Sequence, residues 1–383
     1  MNPILTKHIK SRFIKEFSHE PIIIKSPGRI NLIGEHTDYN EGFAIPAAIN
    51  KGIVTAIQKS TTDLCTVIAN DLSETYSFSL KKIQSIQNGG WKNYVLGVVA
   101  EIQKKGITIK PFNLIFGGDI PIGAGLSSSA ALENSIVFGL NELFSLGLSK
   151  KEMIQISQKA EHNYAGVKCG IMDQYASMFG IENGALLLDC RTTESSNISI
   201  NFNEYQLLLI NTNVKHSLSE SAYNNRRRVC EKIASLLNVK ALRDASEEDL
   251  KQLKIKISEE DYHKALYVIY ENNRVLKAVK AIKNNKLLDF GKLLYETHEG
   301  LQKKYMVSCH ELDLLVDKAK QNPAVIGARM MGGGFGGCTL NIVKKSELNS
   351  FTITVEKAYK EHFNKHCSFY TIEFSKGTHL AEE

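Results

Sequence analysis

The sequence predicts an α+β fold in two domains, and three observations carry that expectation. The chain has 383 residues, more than one hydrophobic core usually covers, so two domains are the default. Strand-like and helix-like segments are mixed along it without strict alternation, which argues against a purely parallel βαβ sheet. No period of roughly 20–50 residues recurs, so the chain is not a repeat array.

Taken in order, residues 1–19 read as a short amphipathic helix. Ile22-Ile23-Ile24 opens the first strand. The stretch from Ser26 to Asn40 is too rich in glycine and polar groups for uninterrupted regular structure. Residues 53–57 and 65–69 are rich in β-branched side chains and read as strands, and 76–80 alternates like a third. Val95, Val98, Val99 and Ile102 fall at helical spacing. An apolar strand at 112–116 and a helix at 130–148 bracket a run of glycines and serines. Helices follow at 150–164 and 171–178, separated by a break at 166–170. A strand covers 185–188. The acidic, Ser/Asn-rich run 192–197 is the expected domain boundary, dividing the chain into 1–195 and 196–383. Beyond it lie a strand at 205–210, helices at 219–237, 261–283, 287–303 and 312–320, and strands at 324–330, 338–343 and 366–372.

Composition narrows the class. Hydrophobic residues make up 43% and charged residues 23%, ordinary for a globular chain that buries a sizeable core. The net charge of +6 is spread out. Its one dense cluster, Arg226-Arg227-Arg228, reads as a solvated helix face. No basic stripe interleaved with aromatics argues for nucleic acid. The seven cysteines are scattered and never spaced Cys-x-x-Cys, which favours reduced thiols in the cytosol over a disulfide framework or zinc site. Lys7, Lys10, Arg12, Lys15 and Glu16 interrupt the N-terminal apolar residues, so a signal-peptide core is not expected. No run of about 18 apolar residues would span a bilayer. A cytoplasmic protein without a membrane partner is the expectation.

Four clusters could carry chemistry. The first is Gly117 to Glu133, a glycine–serine loop between strand and helix. Backbone N–H groups and the positive end of the helix dipole favour an anion there; the alternative is a turn whose serines merely cap the helix. Gly118 to Gly123 has Walker spacing, but Ala124 and Gly125 replace the Lys and Ser/Thr. A phosphate here must rely on backbone donors, serine hydroxyls and a metal. The second is Arg29 to Asp38, where Arg29, Asn31, Glu35, His36, Thr37 and Asp38 crowd together beside two glycines. Such carboxylates and an imidazole suit vicinal sugar hydroxyls, and an arginine suits a transferring phosphoryl group. Third are Glu161 and Asp173, flanking the break. Asp173 falls in a first helical turn, where an ionised carboxylate is favoured, as a magnesium ligand or general base requires. The fourth is Met331 to Cys338, too dense in glycine for a strand interior.

Together these clusters are far more specific than any one alone. Gly28-Arg29-Ile30-Asn31-Leu32-Ile33-Gly34-Glu35-His36-Thr37-Asp38-Tyr39-Asn40 resembles the signature of galactokinases. Pro121 to Ala131 resembles the phosphate-binding motif of the wider family of galactokinase, homoserine kinase, mevalonate kinase and phosphomevalonate kinase (the GHMP kinases). Gly332 to Gly337 resembles that family's third motif. The similarity runs in family order over nearly the whole chain, through Cys169 to Gln174 and Arg226 to Arg228.

The resemblance implies a phosphotransferase that uses ATP and Mg²⁺ to phosphorylate the C1 hydroxyl of α-D-galactose, the first committed step of galactose catabolism. It implies an N-terminal domain like domain 2 of ribosomal protein S5, a ferredoxin-like C-terminal domain, and an active site in the cleft between them. Asp173 and Arg29 match the catalytic pair. Glu35, His36, Thr37, Asp38, Gly170, Asp173 and Tyr223 match the sugar-binding set. Gly123, Ala124, Gly125, Leu126, Ser127, Ser128 and Ser129 match the ATP phosphate loop. Ser129 and Glu161 match the magnesium ligands, with Ser128 an adjacent alternative, and the Trp91–Tyr94 segment is similar to the one near the adenine. Galactose and ATP are then the small-molecule partners of a monomer. A kinase for N-acetylgalactosamine or arabinose and a non-catalytic galactose sensor are the alternatives. Thr37 and Asn40 argue against the first kinase, and Ala130, Ala131 and Asp173 against the sensor.

Overall fold

The computed structural model describes residues 2–121, 123–215 and 219–382. Met1 of the first expected helix and Ile122 of the phosphate-loop motif lie outside the described residues. Helix α1 (Pro3–Phe17) starts where the Asn2 side chain accepts the Ile4 N–H and a proline occupies the first helical position, both favourable at an N-terminus. Strand β1 (Ile22–Asn31) runs further than its polar composition suggests. After the short β2 (Phe43–Ala44), strand β3 (Pro46–Lys59) pairs with it antiparallel, and a register shift between Pro27 and Arg29 lets the ladder resume as far as Asn31.

Strands β4 (Cys65–Ala69) and β5 (Glu74–Phe78), helix α2 (Trp91–Lys104) and strand β6 (Phe112–Gly118) come next. Helices α3 (Ser128–Phe144), α4 (Lys150–Ala160) and α5 (Met172–Phe179) follow, and a single π-helical turn (Glu161–Ala165) extends α4. The stripe Val95, Val98, Val99 and Ile102 is buried with Ile57, Leu114, Ile136 and Leu140, so the helices cover one face of the sheet. On the other face Ile9 and Phe13 of α1 pack on Val54, Ala56 and Ile115. This is the helical and strand periodicity working as expected.

Strands β7 (Gly184–Asp189) and β8 (Glu194–Ser199) form a hairpin that joins β2 in a three-stranded sheet. The 192–197 run is therefore not a linker. A division between 195 and 196 falls inside β8, which is paired along its length from Gly184↔Ser199 to Asp189↔Glu194. Only Ile198 of β8 is buried, so its polar residues mark a solvent-facing strand.

The remainder comprises β9 (Tyr205–Lys215), α6 (Ser219–Leu236), α7 (Glu247–Lys251), α8 (Glu259–Lys283), α9 (Leu287–Lys303) and α10 (His310–Gln321). Then come β10 (Val325–Met330), β11 (Gly336–Lys344), α11 (Leu348–Phe363) and β12 (Ser368–Ile372). Four of these strands make an antiparallel sheet in the order β10-β11-β9-β12. Along β9, Leu208 and Ile210 face α10 and α11, whereas Leu207 and Leu209 join Ile30, Leu32, Ile45 and Phe290. One core thus welds this sheet to the end of β1. Strand β13 (His379–Leu380) then pairs with Ile24 and Lys25, completing a six-stranded sheet ordered β13-β1-β3-β6-β4-β5. No helix among the described residues is long and apolar enough to cross a membrane.

Candidate active site

The site begins where β1 ends. Arg29 is buried, and its Nε and Nη2 donate to Asp173 Oδ1 and Oδ2, both at 2.7 Å. This fork-on-carboxylate arrangement is the strongest geometry such a pair has. Burial opposes the guanidinium charge, but Asp173 outweighs it and the pKa of Arg29 is raised. Arg29 Nη1 donates to the Gly125 carbonyl at 2.5 Å, and the Arg29 N–H to the Leu126 carbonyl at 3.1 Å. The Ser127 hydroxyl donates to Asp173 Oδ2. Asp173 lies in the first turn of α5, so the helix dipole adds to the stabilisation of its charge.

Glu35 is held from both halves of the chain. Its Oε1 accepts Arg329 Nη1 and the Gly332 N–H, each at 2.9 Å, and its Oε2 accepts Asn31 Nδ2 at 3.1 Å. Arg329 is fully buried in β10 and also donates to the Leu32 and Asn31 carbonyls. Beyond β10 the glycine run turns back sharply. Gly334 has φ +83°, and a Cβ there would lie 2.1 Å from the Val307 carbonyl oxygen, so only glycine fits.

These elements enclose a cavity of about 250 Å³. Arg29, Glu35, His36, Asp38, Glu161, Asp173 and Tyr223 line it, with Cys169, Met172 and Gly332 to Gly334. His36 Nδ1 is 2.7 Å from the Tyr39 hydroxyl, while its buried Nε2 has no hydrogen-bond partner among the described residues. Burial lowers the His36 pKa to about 4, so the ring is neutral near pH 7. Asp38 is pushed up to about 7, first by burial and then by Asp173.

Two sequence-predicted sugar ligands do not reach this cavity. The hydroxyl of Thr37 is spent on the Gly34 and Phe43 carbonyls at 2.8 and 2.7 Å, so Thr37 shapes the loop instead. Gly170 backs onto Asp38: a Cβ at Gly170 would fall 2.0 Å from Asp38 Oδ2.

A second, apolar cavity of about 470 Å³ lies alongside, lined by Ile53, Leu72, Trp91, Tyr94, Phe116, Leu132 and the loop residues Gly123, Ser128 and Ser129. Ala124 and Leu126 are buried in the core, and the carbonyls of Gly125 and Leu126 serve Arg29. Of the expected phosphate loop, only Gly123, Ser128 and Ser129 front this cavity. The Ser129 hydroxyl donates to Glu161 Oε1 at 3.0 Å and so joins the two cavities.

Glu161 opens the π-helical turn. It is buried, with Gln174 Nε2 at 2.7 Å from Oε2. No cation pairs with it among the described residues, and burial followed by Asp173 raises its pKa to about 7. A hydroxyl beside a carboxylate that lacks a counter-charge is a donor set that suits Mg²⁺, which binds through one or two carboxylates plus phosphates and water.

Sequence reasoning missed Arg329, hidden in an apolar strand, and took Arg226 for a solvated residue. Arg226 is instead buried, donating from Nε and Nη2 to the Tyr305 and Met306 carbonyls at 2.9 and 2.8 Å. It sits one turn from Tyr223 on α6, and the apolar residues three and four positions on were the available signal. Glu133 was missed too. It is fully buried, and burial, with Glu161 next, pushes its pKa well above the carboxylate range.

Comparison with known proteins supports the same assembly. The galactokinase galactose-binding signature matches residues 11–59, the GHMP kinases N terminal domain 93–181 and the GHMP kinases C terminal domain 278–355. Galactokinase from Thermosipho africanus is 41% identical over 92% of this chain and 98% of that protein. The one from Clostridium beijerinckii is 40% identical over 97% of each. The crystal structure of Lactococcus lactis galactokinase complexed with galactose superposes with a TM-score of 0.93 at 34% identity, covering 98% of this chain and 99% of that one. A mevalonate kinase at 22% identity and TM-score 0.63 shares the fold. With similarity this extensive across both halves, the chain belongs to the galactokinase family of GHMP kinases.

Proposed function

We propose that this protein is a galactokinase that transfers the γ-phosphoryl group of ATP to the C1 hydroxyl of α-D-galactose, giving α-D-galactose 1-phosphate and ADP. The observation that carries the mechanism is the Arg29–Asp173 pair. It stands in the wall of a small polar cavity, and Ser127 ties it to the serine loop that borders the apolar one. Galactose takes the polar cavity. Its hydroxyls meet Glu35, His36, Asp38 and Tyr223, and His36 Nε2, unpartnered among the described residues, is a ready partner. Trp91, Tyr94 and Leu132 offer an apolar slot for the adenine. Ser128, Ser129 and the Gly123 backbone then front the phosphates.

Phosphoryl transfer depends on positioning and charge neutralisation more than on covalent help. Asp173, aimed by Arg29 and Ser127, accepts the hydrogen bond of the C1 hydroxyl and directs its oxygen at the γ-phosphorus. As that oxygen bonds phosphorus, its proton passes to Asp173 and the bond to the ADP oxygen breaks, while Arg29 supplies positive charge beside the transferring group. Mg²⁺, held by Ser129 and Glu161, would neutralise phosphate charge when bound.

Asp173→Ala is expected to lower kcat by about 10²–10⁴ with a native fold; near-normal turnover in a folded variant would remove Asp173 from the mechanism. Ser129→Ala should raise KM for magnesium-ATP more than KM for galactose, and the opposite split would assign the serine loop to the wrong substrate. Asp38 adds a pH signature in the sugar-free protein. Its folded pKa, about 7, lies above the ordinary 3.8, so the native state binds this proton more tightly than the unfolded one. The stabilisation is complete below about pH 4 and is lost as pH rises through about 7. Asp38→Asn should therefore flatten part of the decline in denaturant midpoint between pH 5 and 7; an unchanged decline would show that Asp38 is ionised throughout.

A further inference from the structure

Helix α8 contributes nothing to the wall of the sugar cavity, yet three of its side chains end on the chain segment that builds that wall. The Tyr267 hydroxyl donates to the Glu35 carbonyl at 3.1 Å. Glu271 Oε1 accepts the Gly34 N–H at 3.0 Å. Asn272 Oδ1 accepts the Phe43 N–H at 2.9 Å. Tyr267 and Glu271 are four residues apart, hence on one helical face.

Glu271 is the unusual member. It is fully buried, where a carboxylate is costly unless compensated. Arg274 compensates it, with Nε 2.7 Å from Oε2, and the Thr297 hydroxyl donates at 3.0 Å. What the carboxylate adds over an apolar residue is its hold on the Gly34 N–H. Gly34 has φ +99°, and a Cβ there would lie 2.6 Å from the Phe43 carbonyl oxygen and 2.9 Å from Val275 Cγ2 of α8. Two residues on, His36 has φ +61°. A non-glycine residue in that region persists only where its surroundings over-determine it. The segment carrying Glu35 and His36 therefore takes a conformation it would not hold alone, and α8 supplies the constraint.

We propose that Glu271 is a positioning residue for sugar recognition: by holding the Gly34 N–H from α8, it sets how Glu35 and His36 enter the sugar cavity. This rests on the reading of those two residues as galactose ligands.

The test is steady-state kinetics with both substrates varied, on folded full-length variants. Glu271→Ala leaves the Gly34 N–H unpartnered and should raise KM for galactose about tenfold or more, with KM for magnesium-ATP within about twofold. Glu271→Gln retains an acceptor oxygen and should recover most of the galactose KM. Thr297→Val, which removes one donor to Glu271 at nearly constant shape, should raise galactose KM by a smaller factor in the same direction, and it decides the matter if Glu271→Ala does not fold. An unchanged galactose KM, or equal rises for both substrates, would overturn the proposal. His36→Ala separates the two readings. If it raises galactose KM while the Glu271 and Thr297 variants do not, the positioning role fails and the sugar site stands. If His36→Ala itself leaves galactose KM unchanged, the sugar-site reading fails first.

Discussion

The contact on which the rest depends is the buried pair between Arg329 and Glu35. Arg329 reaches out of the antiparallel sheet, satisfies the carbonyls at the end of β1 and meets Glu35, whose same oxygen accepts the Gly332 N–H. Two segments nearly three hundred residues apart in sequence are thereby fixed against each other by direct hydrogen bonds. Such a pair is not a large source of net stability, but breaking it strands a buried charge at a cost of about 3–5 kcal/mol. It therefore permits one relative placement of the glycine run and the Arg29–Asp38 segment, and the polar cavity is the space they leave.

That cavity concentrates carboxyl groups. Asp38, Glu161 and Asp173 front it or border it, with Glu133 behind, and Arg29 is the cation that directly engages one of them. The raised pKa values of Asp38 and Glu161 have burial as their first cause and Asp173 as their second. A site in this condition favours what relieves it: hydroxyl donors over Asp38, and a divalent cation beside Glu161 and Ser129. The same low dielectric strengthens each contact once substrates arrive.

Much of this was legible in the sequence, because glycines and polar groups where an apolar strand should continue need a reason. Arg29, Glu35, His36, Asp38, Asp173 and Tyr223 all line one cavity, as their clustering and family resemblance implied. What stayed hidden has physical causes. Arg329 and Glu271 lie inside regular elements and look like ordinary strand and helix residues until their partners are known. Thr37 was indistinguishable from its neighbours because its role depends on where Gly34 and Phe43 place their carbonyls. The 192–197 run read as a boundary because a solvent-facing strand has the composition of a linker. The π-helical turn that presents Glu161 leaves no simple periodic trace.

The most direct test of the account is a coupled ADP-release assay on the intact protein with magnesium-ATP and a panel of galactose, N-acetylgalactosamine, arabinose and glucose. The account predicts ADP release that depends on galactose and is far faster with it than with the other three. Preference for another sugar would contradict the assignment of the cavity to galactose, and absence of any sugar-dependent ADP would contradict phosphoryl transfer itself.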